Sequence, residues 1–302
     1  MTMNLAALNE SSGVESKNIK IYAGTEFMMQ EKECWKFCKK VTTDQRFEQR
    51  LSFEGPGAAS EHTEEHDIAT VDYKEGYKTT IPQKQYAVEI RISWAARQFA
   101  VKSAQVSQQI GTYLGRAGTL AYEYKGANII DYGYTDSAAY HGGDSKPLFS
   151  ATHPWKTGGT YSNVLSTAAA SKTSIKAAGK TVHNAKMENS IPANLKMNKI
   201  LFRYENVYEI PEILTSQLDP ETGNNRNNAL KDEGLEMVIL HYPTDTNGWE
   251  ILTTDSDLEI VEAAAPFLAT NAYPNKSIGE NIFMSMNNGF AKPLGTYGNQ
   301  GA

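Results

Sequence analysis

Apolar residues near the start of the chain recur at helical spacing. With Thr25 as a candidate N-cap, Phe27, Cys34, Cys38 and Val41 fall on one face of a predicted helix. The two cysteines are four residues apart, which is neither the spacing of a redox pair nor half of a zinc site. We therefore interpret them as small core residues, with a disulfide or a metal role as the alternative.

Period-two alternation predicts two strands before residue 93. The first contains Phe47, Leu51 and Phe53, and in the second Glu89 and Arg91 alternate with apolar side chains at Tyr86, Val88, Ile90 and Ile92. The segment between them is rich in Gly, Pro, Ser and acidic residues, which predicts a loop or an extended arm. We expect the two strands to pair as a long hairpin with an acidic tip.

The next element is predicted to be a long helix over residues 94–124, capped by Ser93. At 1.5 Å per residue it would be about 45 Å long. Its glycines lower helix propensity by up to about 1 kcal/mol each, but they allow another backbone to approach closely. We predict a structural spine whose apolar face contains Phe99, Val106, Ile110, Tyr113, Leu114, Ala117, Leu120 and Ala121.

The second half of the chain mixes short strands and helices. Turns and short strands are predicted over residues 131–165, a helix over 167–187, and apolar segments over 200–208, 210–214 and 235–242. Asn247-Gly248 is typical of a hairpin turn, which would join the last segment to a strand at 249–252. The predicted fold class is α+β.

The length, charge and composition of the chain exclude several classes of protein. The chain has 302 residues, which predicts two domains or one large domain with insertions. Its 29 basic and 35 acidic residues give a net charge of -6, the wrong sign for a protein that binds nucleic acid mainly through phosphates. Hydrophobic residues make up 40 %, which excludes wholesale disorder. We find neither an apolar run of about 18 residues nor a signal peptide, and expect synthesis in the cytoplasm without membrane insertion.

One motif has the spacing of a zinc protease. His62, Glu65 and His66 fit H-x-x-E-H, in which two histidines bind the metal and the glutamate activates water. The motif lies in an acidic, Gly- and Pro-containing segment instead of on an amphipathic helix. We therefore interpret it as a solvated loop and keep a zinc hydrolase as an alternative.

Other catalytic patterns are incomplete. Gly179-Lys180-Thr181 resembles the end of a phosphate-binding loop, but Ser174 occupies the position of the required first glycine. We find no G-x-S-x-G nucleophile motif. His153 precedes Pro154 in a predicted turn, where we expect a hydrogen-bonding role. The sequence therefore predicts no enzyme, no cofactor and no metal site.

A family resemblance begins at residues 144–154, DSKPLFSATHP, and continues at 158–163, GGTYSN. Both closely resemble a stretch of the major capsid proteins of tailed bacteriophages, including the Mu-like head proteins. Further segments resemble the family in the same order: VTTDQR at 41–46, the segment from Glu75-Gly76-Tyr77 to Ile92, residues 219–230 and residues 249–255. The resemblance covers about residues 25 to 260.

This resemblance implies a fold of the Hong Kong 97 type. Its parts would be an N-terminal arm at residues 1–45, an extended hairpin loop at 46–92, a peripheral domain with the spine helix at 93–130, an axial domain at 131–250, and the return to the peripheral domain with the C-terminal tail at 251–302.

The resemblance also implies a structural virion protein. Such a subunit assembles with itself, as pentamers and hexamers, into the icosahedral head shell that encloses double-stranded phage DNA. The implied partners are separate scaffold, portal and decoration proteins, and DNA contacted on the inner face without sequence specificity. The implied location is the virion, with assembly in the host cytoplasm. An encapsulin-like nanocompartment shell of the same fold is the alternative.

Two inter-subunit contacts are hypothesised. The hairpin would meet basic side chains of a neighbour through Glu61, Glu64, Glu65, Asp67, Glu75 and Tyr77. A polar loop would lie at the capsomer centre, where hydrogen-bonding turns can pack around a symmetry axis; its residues are Asp219, Asn224, Asn225, Arg226 and Asn227.

Overall fold

The structure is a computed structural model that describes residues 5–54, 61–62, 74–99, 103–188, 190–218 and 227–301. Three helices lie in the first half of the chain. They are α1 (Leu5–Met29), α2 (Trp94–Phe99) and α3 (Ser103–Asp131). The spine predicted over residues 94–124 corresponds to α2 and α3, and α3 continues to Asp131. In these ranges no helix combines the length and the hydropathy needed to cross a membrane.

Glycines of α3 allow α1 to pack against it at very short range. A Cβ atom added at Gly111 would lie 2.7 Å from the backbone oxygen of Ile19. A Cβ atom added at Gly115 would lie 2.6 Å from the backbone oxygen of Ala23. The predicted close approach of a second backbone is therefore confirmed, and α1 is the partner.

The predicted apolar face of α3 is wrong in part. Val106, Tyr113 and Leu120 were placed on the buried face, but all three are exposed. Because glycine, serine and threonine form much of the contact, the buried stripe combines small residues with only some of the large apolar ones. It contains Ser107, Ile110, Gly111, Leu114, Gly115, Gly118, Thr119, Tyr122, Glu123, Gly126 and Ala127.

The first sheet lies beneath these helices. Its strand order is β1-β10-β11-β4, with β1 parallel to β10 and the other neighbours antiparallel. β10 and β11 form a long hairpin from the C-terminal part of the chain. The bounds are β1 (Lys39–Thr42), β4 (Lys84–Ile92), β10 (Leu258–Ala272) and β11 (Ile278–Phe290).

A separate two-stranded ribbon joins β2 (Phe47–Glu54) to β3 (Lys74–Pro82) in antiparallel register. The expectation that the strand at 86–92 would pair with the strand from Phe47 is wrong. That later strand is β4, and it pairs with β11 in the first sheet. The hairpin is therefore formed by β2 and β3. After Gln83 the chain continues as β4, which belongs to the first sheet.

The second sheet has the strand order β12-β9-β7-β8. Its strands are β7 (Met197–Arg203), β8 (Glu236–Leu240), β9 (Trp249–Thr253) and β12 (Thr296–Asn299). The hairpin predicted around Asn247-Gly248 is wrong, because β7 lies between β8 and β9. A short ribbon, β5 (His153–Pro154) with β6 (Thr160–Tyr161), precedes this sheet in the chain.

Two helices cover one face of the second sheet. α4 (Lys172–His183) is shorter than the helix predicted over 167–187, because Ser171 and Ser174 form a capping box that sets its start. α5 (Glu209–Thr215) lies in the connection between the parallel strands β7 and β8. The segment predicted at 210–214 is therefore helical.

The second sheet separates two hydrophobic cores because its strands bury both faces. Leu201 and Leu252 belong to the core shared with α3 and the first sheet. Ile200 and Ile251 belong to the core beneath α4 and α5. Successive side chains of a strand point to opposite faces, so neighbouring residues stabilise different cores.

The cysteine segment is buried but is not the predicted helix. α1 ends at Met29, Cys34 lies in a short 3-10 turn (Glu33–Lys36), and Val41 lies in β1. Cys34 packs against Gly126 of α3, and the Glu123 carboxylate accepts hydrogen bonds from the backbone nitrogens of Glu33 and Cys34 at 2.7 and 3.0 Å. Both thiols are free and buried, which confirms their interpretation as core residues.

Candidate functional site

The segment that carries the family resemblance folds around a buried polar cluster. His153 is fully buried, and its Nδ1 lies 2.6 Å from the Asp144 carboxylate. Its Nε2 lies 3.2 Å from Oδ1 of Asn163 and 3.3 Å from the backbone oxygen of Leu148. The expected hydrogen-bonding role of His153 is confirmed, and its burial removes it from contact with solvent.

Asn163 is the centre of this cluster. Its Nδ2 donates to the backbone oxygens of Leu148 at 2.6 Å, Thr296 at 3.0 Å and Pro293 at 3.2 Å. Its Oδ1 accepts from the backbone nitrogen of Ser150 at 2.9 Å. One buried amide therefore connects the 144–163 segment to the C-terminal strand β12. Sequence analysis did not single out Asn163, because only the fold brings these carbonyls together.

The β2–β3 hairpin is fixed at its base to the rest of the chain. Arg50 contacts the Glu259 carboxylate of β10 through Nε at 2.9 Å and Nη2 at 3.1 Å. Burial raises the pKa of Glu259, and the Arg50 guanidinium opposes that rise. Asn287 of β11 donates to the backbone oxygen of Pro82 at 2.7 Å. The base of the hairpin is thus held by two strands of the first sheet.

A lysine supports the hairpin further out. Nζ of Lys156 donates to the backbone oxygens of Glu75 at 2.8 Å and Gly76 at 2.9 Å. The side chain of Glu75 is exposed and that of Tyr77 is half-buried. Glu61 is also exposed. The predicted contact residues Glu64, Glu65 and Asp67 lie outside the described residues.

The polar loop predicted as a contact begins after α5. Asp219, Asn224, Asn225 and Arg226 lie outside the described residues, whereas Asn227 is described and exposed. The next residue, Asn228, is buried and donates to the backbone oxygens of Ile213 at 2.5 Å and Ser216 at 3.2 Å. The end of this loop is therefore anchored to α5 by Asn228, which lies within the segment 219–230 that resembles the family but which the sequence does not mark as an anchor.

Among the described residues, the groups considered for catalysis do not form a catalytic arrangement. Burial raises the pKa of both Cys34 and Cys38, which disfavours the reactive thiolate. His62 is exposed, and Glu65 and His66 lie outside the described residues. Across the described ranges, no group of three His, Cys, Asp or Glu side chains is arranged to hold a metal ion. Lys180 is an exposed residue of α4, not part of a strand-to-helix loop.

A buried ion pair instead stabilises the second sheet. Arg203 of β7 contacts Glu250 of β9 through two nitrogens, each 2.9 Å from a carboxylate oxygen. Both side chains are at most 2 % exposed. Burial raises the pKa of Glu250 and the guanidinium opposes that rise. The pair links neighbouring strands and is closed to any substrate.

Large apolar side chains remain on the surface of the isolated chain. Tyr208, at the start of α5, is 84 % exposed, and Tyr204 is 55 % exposed. A second set follows the outer side of α3 at Val106, Tyr113, Leu120 and Tyr124. Exposed apolar side chains that recur along one helix offer area for contact with another protein.

Comparison with known proteins identifies the fold. No protein-family model and no curated protein matches the sequence. The asymmetric unit of the bacteriophage PhiM1 mature capsid matches with 13 % identity over 91 % of this chain and 88 % of that chain, at a TM-score of 0.56. The capsid structure of cyanophage P-SCSP1u matches with 12 % identity over 89 % and 88 %, at 0.56.

A structure from Mycobacterium phage Adephagia matches with 11 % identity over 90 % of this chain and 91 % of that chain, at a TM-score of 0.58. Each of these three matches covers about nine tenths of both chains. The expected α+β class and the resemblance to phage capsid proteins are therefore confirmed at the level of the fold: the chain has the fold of a phage capsid protein.

Proposed function

We propose that this protein is a major capsid subunit that assembles with itself into the icosahedral head shell of a tailed phage. The supporting observation is the likeness to phage capsid structures over about 90 % of both chains. The likeness extends over about nine tenths of this chain, so it includes most of the fold. The encapsulin-like alternative has no such support, since these neighbours come from phages.

The architecture suits a shell subunit. A closed shell needs surfaces that complement those of the same chain, with many weak contacts acting together. The exposed tyrosines near α5 and the outer side of α3 supply apolar contact area. The buried ionisable groups described above serve the internal structure.

We assign the parts of the chain to the Hong Kong 97 type of capsid fold. Residues 1–45 would be the arm, 46–92 the extended loop region, 93–130 the spine, 131–250 the axial domain, and 251–302 the peripheral return and tail. In support, the second sheet with α4 and α5 lies mostly within 131–250, and the long β10–β11 hairpin lies within 251–302.

Two contacts follow from this assignment. The hairpin would reach a neighbouring subunit through Glu61, Glu64, Glu65, Asp67, Glu75 and Tyr77. The loop with Asp219, Asn224, Asn225, Arg226 and Asn227 would lie near the capsomer axis. The anchoring of the hairpin base by Arg50 and of the loop end by Asn228 supports both, because a contact segment binds better when its ends are fixed.

The remaining partners are inferred from the same role. A shell requires scaffold and portal proteins, binds decoration proteins on its outer face in some cases, and encloses DNA without sequence-specific contacts. The net charge of -6 limits adhesion to the packaged DNA. The protein would reside in the virion after assembly in the host cytoplasm.

Electron microscopy of the purified protein, with its mass measured on the same sample, tests the proposed function. We expect closed shells, or rings of five and six subunits. If the chain remains a monomer or dimer after co-expression with candidate scaffold genes, the proposal is wrong. Stoichiometric zinc in that monomeric protein would instead support the hydrolase alternative at His62, Glu65 and His66.

The hairpin contact has its own test. We expect the triple substitution Glu61→Gln, Glu64→Gln and Glu65→Gln to reduce the yield of shells and to weaken the dependence of assembly on salt. Unchanged yield and unchanged salt dependence would reject the contact while leaving the capsid function in place.

A further inference from the structure

Two surfaces of the second sheet carry opposite charge. Residues 172–186, which include α4, contain four lysines and no acidic residue. Residues 204–218, which include α5, contain three glutamates and no basic residue. Lys180, Lys186, Glu205, Glu209 and Glu212 are all exposed. Among the residues that the structure describes, none of these five forms an ion pair.

The groove beside α4 and the connection that contains α5 lie toward opposite edges of the sheet. The segment before α4 runs along β12, where Leu165 N donates to Gly298 O at 2.8 Å, and Tyr297 of β12 lines the groove described below. α5 belongs to the connection between β7 and β8. Since β12 and β8 are the two outer strands, the groove lies at one edge of the sheet and the α5 connection leads to the other. A ring of identical subunits needs two complementary surfaces arranged in this way.

The basic side also contains an open groove of about 640 Å³. Trp155 and Tyr161, with ring centroids 4.4 Å apart, form an aromatic wall, while Lys180 and Lys186 line it from α4 and the segment that follows. The only carboxylate among the lining residues is Glu188, which accepts a hydrogen bond from the backbone nitrogen of Thr157. The groove therefore offers aromatic and cationic groups to an incoming segment.

The acidic surface at α5 carries exposed side chains that complement the groove. Tyr208 is 84 % exposed and is followed directly by Glu209, with Glu212 one turn later. A tyrosine buries a large apolar ring and keeps a polar hydroxyl, which makes it an effective anchor in a groove. The carboxylates beside it would meet the lysines.

We propose that the α5 surface of one subunit docks into the α4 groove of the next copy of this chain, with Tyr208 in the groove and Glu209 and Glu212 facing Lys180 and Lys186. The occupant is a second copy because both complementary surfaces are present on one chain. The contact is head-to-tail, so repeating it around an axis generates a ring. This inference rests on the proposed capsid function and names the contact that closes its capsomers.

A charge swap tests the contact. We expect Glu209→Lys with Glu212→Lys to raise the protein concentration needed for assembly by about tenfold or more, because like charges then face each other. Lys180→Glu with Lys186→Glu should do the same. A chain that carries all four substitutions should assemble at close to the original concentration. Tyr208→Ala, which leaves the charge unchanged, should also weaken assembly.

The control variant is Asp44→Lys, which reverses an exposed carboxylate just after β1. It should assemble like the unchanged chain, and all variants should keep the thermal unfolding midpoint of the subunit. If either reversal assembles normally, or if the fourfold variant is not rescued, the proposed contact is wrong and the capsid function stands. If the unchanged chain forms no rings or shells with its scaffold, both are wrong.

Discussion

At the scale of single residues, Asn163 should matter more for stability than its modest size suggests. Asn163→Ala removes the donor to three buried backbone oxygens and leaves them without this partner. Leaving a buried polar group unpaired costs about 1 to 3 kcal/mol. We therefore expect the free energy of unfolding to fall by about 3 kcal/mol, measured by urea denaturation of the unassembled subunit.

Asn18→Ala is the matched control, because Asn18 is an exposed residue of α1. It should change the free energy of unfolding by no more than about 0.5 kcal/mol. An equal effect of the two substitutions would contradict the central role of Asn163.

The contacts of the Glu89 carboxylate should make the stability of the folded protein depend on pH. Hydrogen bonds from Arg91 at 2.7 Å, Tyr273 at 2.7 Å and Asn271 at 2.9 Å lower the pKa of its carboxyl group to about 2. A carboxyl group whose pKa is lower in the folded state stabilises that state above its unfolded pKa, roughly 4.3, and loses this effect as the pH falls toward 2. Glu89→Gln should therefore lower the unfolding midpoint at pH 7.

The difference between this variant and the unchanged subunit should shrink steadily between about pH 4.3 and pH 2. Thermal unfolding at several pH values measures it, with Asp44→Asn, a change at an exposed carboxylate for which the described residues offer no ion pair, as the control. A difference that is the same at every pH would show that the Glu89 contacts do not depend on its charge.

Residue types predicted the environment of some side chains but not their secondary structure. Cys34 and Cys38 are buried as expected, yet they lie beyond the end of α1. Their spacing suits a helix, but the chain leaves the helix at Met29 and is held by the Glu123 carboxylate of α3. A tertiary hydrogen bond of this kind has no local sequence signal.

At the scale of elements, the crossing of α1 and α3 provides a direct test. Gly111→Ala places a methyl group 2.6 Å from Cβ of Tyr22 and 2.7 Å from the oxygen of Ile19, so the helices must separate. Overpacking of this kind costs about 1 to 3 kcal/mol, which outweighs the gain in helix propensity. We expect a lower free energy of unfolding in urea.

The control comes from the partner helix. Gly24 of α1 has no atom within 4 Å of an added Cβ, so Gly24→Ala should raise stability by up to about 1 kcal/mol. If Gly111→Ala also stabilises the protein, the two helices do not pack as closely as described.

Elements were predicted better than their pairing. The alternation at residues 86–92 identified the strand β4 correctly, but local pattern contains no information about a partner as distant as β11. The same reasoning explains why the hairpin expected at Asn247-Gly248 does not form. β7 comes from much earlier in the chain and lies between β8 and β9. For the candidate site, the acidic and polar segments were visible in the sequence, whereas their anchors Arg50 and Asn228 became visible only in the fold.

At the scale of the whole molecule, the second sheet should make unfolding cooperative. Its strands supply Leu201 to one core and Ile251 to the other, so neither core can be lost without exposing the opposite face of the same sheet. We expect calorimetry of the unassembled subunit to show a single transition. Leu201→Ala and Ile251→Ala should each lower the midpoint temperature of this transition. Each should reduce the free energy of unfolding by about 2 to 5 kcal/mol.

Two separate transitions, each sensitive to only one of these substitutions, would show that the cores unfold independently. Tyr113→Ala on the exposed side of α3 serves as the control and should leave the transition nearly unchanged.

The buried thiols make the local opening of the protein measurable by chemical labelling. Cys34 and Cys38 are sealed at the junction of α1, α3 and β1, so a water-soluble alkylating reagent reaches them only while that junction is open. The labelling rate of each thiol therefore measures how often this junction opens locally. If the proposed shell forms, comparing this rate in the free chain, in empty shells and in DNA-filled shells would show how far assembly and filling change the opening of the junction.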